Sequence, residues 1–226
     1  MSKKRVAVLI SGRGSNMEAL IAAAASEAYP AQIALVVSNR PDAPGLRRAA
    51  AAGIAAEIVD HTAYPNDRAA FERALQARLE AHRIDLVCLA GFMRLLSTDF
   101  VEHWRGRMLN IHPALLPAFK GLDTHARALA AGVKIHGATV HLVVPEVDSG
   151  PIIAQAAVPV RDGDTAETLA ARVLEVEHRI YPAALKFLAE GRVTIVDGRC
   201  RIEGETEADD VLVVPGICDG RLRGSQ

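Results

Sequence analysis

Asn110-Ile111-His112-Pro113 closes an apolar run that begins at Met108. Side chains alternate along an extended chain, so Asn110 and His112 fall on one face. An amide donor beside an imidazole suits a site where negative charge develops on an oxygen while a proton moves. A capped strand end with a satisfied histidine uses the same residues equally well. Asp148 sits in the stretch Pro145-Glu146-Val147-Asp148-Ser149-Gly150-Pro151. An acid there makes a turn or, if the stretch folds back over His112, supplies a carboxylate that orients or charges the imidazole.

A second group is Ser11-Gly12-Arg13-Gly14-Ser15-Asn16, between the apolar run Val6–Ile10 and a helical pattern from about Ser15 to Ala25. Two glycines let backbone approach an anion, and a helix start aims free N–H groups and its positive dipole end at it. A phosphate loop and a plain strand–helix turn are both open. A dinucleotide fingerprint needs a third glycine where Met17 stands and an acid where Ser38-Asn39-Arg40 stands. Arg40 suits a 2′-phosphate, which keeps an NADP enzyme open at that end. No Gly-Lys-Ser/Thr follows, which removes a Walker loop, and a monophosphate fits best.

Glu177 falls on an otherwise apolar helical stripe with Val173, Ile180, Tyr181 and Ala184. A buried carboxylate needs a partner, either an amine from a ligand or an internal arginine. After Gly91, the stretch Phe92-Met93-Arg94-Leu95-Leu96-Ser97 lines an apolar cofactor slot or packs into the core. His136 and His141 are five apart on an extended segment, point to opposite faces and make a poor metal pair. Cys88, inside an apolar run, is a core residue rather than a nucleophile.

The elements that must carry these residues alternate. Val6–Ile10, Ile33–Val37, Ala55–Val59, Asp85–Ala90 and Met108–Ile111 read as strands buried on both faces. Helices are expected from Ser15, over Gly45–Ala52 and from Asn66 to His82. The fold class is therefore α/β, a doubly wound, mostly parallel Rossmann-like sheet with an antiparallel C-terminal part. His112 to Asp123 reads as a long binding loop. Ala138–Val144 and Ile152–Val160 form an antiparallel pair. A helix from Thr165 to about Ala189 starts with Asp164 and Glu167 spaced as a capping box. Asp197-Gly198 marks a hairpin between Val193–Val196 and Cys200–Ile202. Residues 1–203 are expected to be one domain and 204–226 a partly disordered tail.

The chain has 226 residues, 50% hydrophobic, with 26 Lys+Arg against 27 Asp+Glu. Such a chain buries a substantial core, is not disordered and carries no basic excess for nucleic acid. Val6–Ile10 is too short for a signal or membrane segment. Three dispersed cysteines (Cys88, Cys200, Cys218) specify neither a disulfide framework nor a zinc site. A cytoplasmic protein with no membrane partner is expected.

Four segments together resemble the folate-dependent phosphoribosylglycinamide formyltransferases (glycinamide ribonucleotide transformylases) of purine synthesis. They are the Ser11–Asn16 loop, Leu89-Ala90-Gly91-Phe92-Met93-Arg94-Leu95-Leu96-Ser97, Leu109-Asn110-Ile111-His112-Pro113-Ala114-Leu115-Leu116-Pro117, and Val147-Asp148-Ser149-Gly150-Pro151-Ile152-Ile153. The likeness runs from about Lys4 to the 190s. Asn110, His112 and Asp148 belong to a pattern shared by formyl-transfer domains that use 10-formyltetrahydrofolate, and the Gly-Ser-Asn loop marks this branch.

The resemblance implies formyl transfer from 10-formyltetrahydrofolate, a co-substrate, to the amine of 5-phosphoribosylglycinamide, with no metal. Asn110 would hold the formyl oxygen, His112 would assist charge and proton transfer, and Asp148 would tune His112 or order a water. Gly14, Ser15 and Asn16 would cradle the phosphate, Glu177 would bind the ribose hydroxyls, and Gly91 and Pro113 would contact substrate through backbone. Met93, Arg94, Leu95 and Leu96, with Val144, Pro145, Glu146 and Val147, would line the pterin pocket, and Arg68 would lie near the folate tail. Arg13 and Asp123 depart from the residues common at those positions. The implied partners are these small molecules, with the protein a monomer or homodimer.

The rivals are a formyltetrahydrofolate deformylase and a catalytically inactive folate- or nucleotide-binding module. The deformylases usually carry an added N-terminal domain. Methionyl-tRNA formyltransferase needs a C-terminal RNA-binding domain and more basic charge.

Overall fold

Val6-Ala7-Val8-Leu9-Ile10 is apolar at every position because helices cover both faces of the strand it forms, and all five residues are fully buried. The structure, a computed structural model, describes residues 2–204 together with Leu212 and Val214. The expected tail disorder and Cys218 lie outside the described residues. Strand and helix alternate as β1 (Lys4–Ile10), α1 (Ser15–Ala24), β2 (Ala31–Ser38), α2 (Pro44–Ala51), β3 (Ala55–Ile58), α3 (Arg68–Ala81) and β4 (Leu86–Leu89). They continue as α4 (Thr98–His103), β5 (Met108–His112), α5 (Thr124–Ala130), β6 (Ile135–Leu142), β7 (Ile152–Pro159), α6 (Ala166–Ala189), β8 (Val193–Val196) and β9 (Arg199–Ile202).

Seven strands form one sheet in the order β3-β2-β1-β4-β5-β6-β7. β1 to β5 pair in parallel, whereas β6 runs antiparallel to β5 and β7 antiparallel to β6. The chain leaves β1 in one direction and returns to β4 on its other side, so the carboxyl ends of β1 and β4 bracket a crevice. On one face Val6, Val8 and Ile10 pack with Met17 and Leu20 of α1 and Leu169, Val173 and Tyr181 of α6. On the other, Ala7 and Leu9 pack with Phe71, Leu75 and Leu79 of α3, with Phe100 of α4 and with Trp104 at its end. An extra residue in β2 shifts its register against Val6 and Ala7, so Ile33 and Val36 reach the same face.

The α/β class, the antiparallel pair and the Asp197-Gly198 hairpin agree with the sequence reading. Four details differ. β3 is an edge strand, only partly buried, and is not covered on both faces. α4 and α5 were not anticipated; at six and seven residues they hold too few helical periods to stand out. The start of α6 is capped reciprocally by Thr165 and Thr168, not by Asp164 and Glu167. Asp164 instead binds Arg172 through two 2.8 Å hydrogen bonds, which hold its carboxyl well below the usual range. Among the described residues no helix is long and apolar enough to cross a membrane.

Candidate active site

The phosphate-loop candidate is set by backbone. Gly14 adopts a left-handed conformation, φ +77°, directly before α1. A Cβ there would lie 3.1 Å from Met17 Cε and 3.2 Å from the Gly45 backbone, so both conformation and space ask for glycine. No side chain caps this helix start, leaving its first N–H groups for an anion. Arg13 points into solvent, while Ser15 and Asn16 are half-buried.

Glu177, buried on α6, finds its partner in neither an arginine nor an amine: its Oε2 accepts from Asn16 Nδ2 at 2.6 Å. Burial pushes the Glu177 carboxyl up, against the opposing effect of that hydrogen bond. One turn later Tyr181, fully buried, donates to the carbonyls of Leu89 (3.0 Å) and Leu109 (3.3 Å). That tie sets α6 beneath the ends of β4 and β5 and turns Glu177 towards Asn16.

The second cluster is made by side chains from separate segments. Asn110 and His112 do share a face of β5, opposite His141 and Thr139 of β6. The 143–151 connection folds back so that Asp148 Oδ2 lies 3.4 Å from His112 Nδ1 and Oδ1 lies 3.8 Å from His141 Nε2. Gly150 allows this approach, since a Cβ on it would sit 1.7 Å from the Leu142 carbonyl oxygen. Asp148 itself is left-handed, φ +50°, an uncommon conformation for a side-chain-bearing residue. The loop after His112 closes the other side. Gly121 N donates to Asp148 Oδ2 at 2.8 Å, Thr124 Oγ1 donates to the Pro113 carbonyl at 2.7 Å, and Gln155 and Thr139 hold Leu116.

Hydrogen positions follow from these partners. His112 Nε2 lies 3.0 Å from the Phe119 carbonyl oxygen, an acceptor only, so that nitrogen carries hydrogen. The other ring nitrogen, Nδ1, faces the Asp148 carboxylate, which can only accept when ionised. His141 is the member that sequence reasoning missed, having been weighed only as a metal ligand. Its Nδ1 donates to the Leu142 carbonyl at 2.9 Å, and burial pushes its pKa down, so it stays neutral with a lone pair on Nε2. Asn110 Nδ2 donates to that lone pair at 3.2 Å. This fixes which end of the amide faces His141 and leaves the other amide hydrogen for a ligand. The antiparallel partnership of Asn110 with His141 was the only signal, and it required the β5–β6 register. His136 does point elsewhere, packing edge-on against Phe119 and His125.

The candidate donor-lining residues are distributed more loosely. Met93, Leu95 and Val147 are apolar yet exposed, Arg94 is half-buried, Leu96 packs inward, and Val144 and Pro145 are half-buried beside exposed Glu146. No hydrogen bond joins 93–96 to 144–147 among the described residues. Two adjoining clefts, of about 610 and 530 Å³, share His61, Thr62 and Arg94; the first reaches Ser11, Gly12, Gly91 and Met93, the second Arg68. Asn110, His112 and Asp148 line neither. Asn110 and His112 lie on β5, next to β4, and Asp148 on the connection after β6; Pro113, just past β5, is half-buried.

Comparison with known proteins covers most of the chain. Residues 4–185 match the formyl transferase family model. The trifunctional purine biosynthetic protein adenosine-3 of Gallus gallus is 52% identical over 194 residues, 86% of this chain but 19% of that protein. This chain thus spans about a fifth of the length of such trifunctional relatives. The phosphoribosylglycinamide formyltransferase of Escherichia coli (strain K12) is 44% identical over 200 residues, covering 88% of this chain and 94% of that one. The crystal structure of glycinamide ribonucleotide transformylase 1 from Symbiobacterium toebii superposes with TM-score 0.86 at 51% identity, covering 88% of this chain and 94% of the other.

Proposed function

The chain belongs to the formyl transferase family, and from that premise we propose that it moves the formyl group of 10-formyltetrahydrofolate to the amine of 5-phosphoribosylglycinamide, a step of purine biosynthesis. The products are formylglycinamide ribonucleotide and tetrahydrofolate. The observation that carries this reading is the Asn110–His112–Asp148 cluster with His141 orienting the amide. The near full-length match to a bacterial enzyme of that name supports it.

In this reading the substrate amine attacks the formyl carbon and the formyl oxygen takes up negative charge. The free hydrogen on Asn110 Nδ2 meets that oxygen, and protonated His112 adds positive charge beside it. Asp148 faces Nδ1 and orients the ring. As the carbon–N10 bond breaks, the amine gives up a proton and N10 gains one, with His112 and Asp148 or a water between them as the path. Gly14, Ser15 and Asn16 take the phosphate at the start of α1, and Glu177, held by Asn16, accepts from the ribose hydroxyls. The backbone of Gly91 and Pro113 meets substrate. The pterin lies against Met93–Leu96 and Val144–Val147, with Arg68 at the tail. Residues 1–203 act as one unit.

The test is consumption of 10-formyltetrahydrofolate by the purified protein with and without the ribonucleotide. Loss of donor only in its presence, with formylated ribonucleotide formed, is the expected result. Equal loss without it identifies a hydrolase instead, and no loss in either case overturns the enzymatic reading.

A further inference from the structure

Gly91–Ser97, between β4 and α4, has no regular structure, yet its side chains are sharply sorted. Phe92 and Leu96 pack into the core formed with α3, while Met93 and Leu95 stand 63% and 65% exposed. Two side chains outside the proposed machinery hold the segment at its ends. At the start, Ser11 N donates to the Gly91 carbonyl at 3.2 Å and Met93 N donates to Ser11 Oγ at 2.8 Å. The Ser11 hydroxyl, already accepting from Met93, sends its own hydrogen to Asn39 Oδ1 at 2.5 Å. At the far end, Glu72 of α3 accepts from Ser97 N at 2.6 Å and from the Ser97 hydroxyl. Ser97 in turn caps α4 through Phe100 N. Ser11, Asn39 and Glu72 are all buried.

Glu72 interrupts the apolar stripe of Phe71, Leu75 and Leu79, and both its oxygens go to one loop residue. Burying an acid to fix a loop that shows its apolar side chains to water does little for the core. It does set the position of an apolar ledge before any ligand arrives, which lowers the ordering cost of binding.

We propose that Ser11 and Glu72 are positioning residues that preset the Met93–Leu95 ledge for the pterin of the formyl donor, with Ser11 also tying that ledge to the root of the phosphate loop. The inference rests on the folate reading of the site. Loss of either anchor leaves a buried group unpaired and transfers the cost of ordering to donor binding. Donor affinity should therefore fall by about tenfold while chemistry is spared.

The experiment compares wild type with Ser11→Ala and Glu72→Ala, and with Arg172→Ala as a stability control that breaks the remote Asp164 pair. Tetrahydrofolate affinity is measured directly, steady-state constants are taken for both substrates, and amide exchange is followed at Met93. Expected are a tenfold weaker Kd for tetrahydrofolate, a matching rise in donor KM, kcat and ribonucleotide KM within twofold, and faster Met93 exchange in Ser11→Ala. Arg172→Ala lowers Tm with both KM values unchanged. Unchanged folate affinity in both variants overturns the proposal, as does a parallel loss of kcat and both KM values that tracks Tm. Wild type that binds tetrahydrofolate without formylating the ribonucleotide overturns the proposed reaction while the affinities still decide the ledge. Wild type that binds no folate overturns both.

Discussion

The two ends of the candidate site are built by different means. At the proposed phosphate end, Gly14, Ser15 and Asn16 are consecutive residues on one turn, and what they offer an anion is backbone N–H aimed by a helix start. At the proposed reacting end, Asn110, His112, His141 and Asp148 come from two antiparallel strands and a returning loop, and the groups they offer are side chains. The first end is local and depends on conformation; the second is assembled over distance and depends on register and protonation. Damage at each should therefore show in different constants.

The largest expected contrast sets His112→Ala against Gly14→Ala. Removing His112 should lower kcat by about 10³-fold with donor KM within a few-fold, as for loss of a proton carrier that also stabilises charge. A drop in kcat of less than tenfold would place the chemistry elsewhere. Gly14→Ala forces a left-handed alanine against Met17 and the Gly45 backbone. It should raise ribonucleotide KM by about tenfold and leave kcat nearly unchanged. Equal effects on both constants in both variants would erase the distinction between the two ends.

Acidity should separate them in opposite directions. Burial pushes His136, beside His125 and behind the reacting end, down from 6.5 to about 4. Its folded value lies below its unfolded value, so it contributes stability above pH 6.5 that is lost as pH falls towards about 4. The contribution is at most about 3 kcal/mol, and His136→Phe should flatten the fall of Tm across that window. Glu177 has the opposite sign, because its folded value is raised. Its contribution is complete at low pH and is lost as pH rises through the folded value. Glu177→Gln keeps an acceptor for Asn16, so its Tm should gain slightly on wild type as pH rises past the carboxylate range. This is the smallest of the effects, and a Tm difference that does not change with pH would show the carboxyl is not strained by burial.

Much of the fold was legible because burial on both faces leaves a direct mark. Runs such as Val6–Ile10 and Leu86–Leu89 are apolar throughout, and glycine and proline punctuate them. Short helices such as α4 and α5 left no such mark. At the start of α6 the Asp-x-x-Glu spacing misled, because Arg172 claims Asp164 and frees Thr165 to cap.

Within the site, Asn110 and His112 were placed together by strand alternation alone, and the Ser11–Asn16 loop by its glycines. The meeting of Asp148 with His112, the pairing of Glu177 with Asn16 and the entry of His141 required the folded chain. Local spacing fixes direction over two or three residues, because the backbone has few conformations to choose from. Which distant segments meet depends on sheet order, strand register and a close approach such as Gly150 on Leu142, and these are settled only when the whole core packs. Protonation belongs to that second class too: neutral His141 follows from burial and a backbone partner that no stretch of sequence contains.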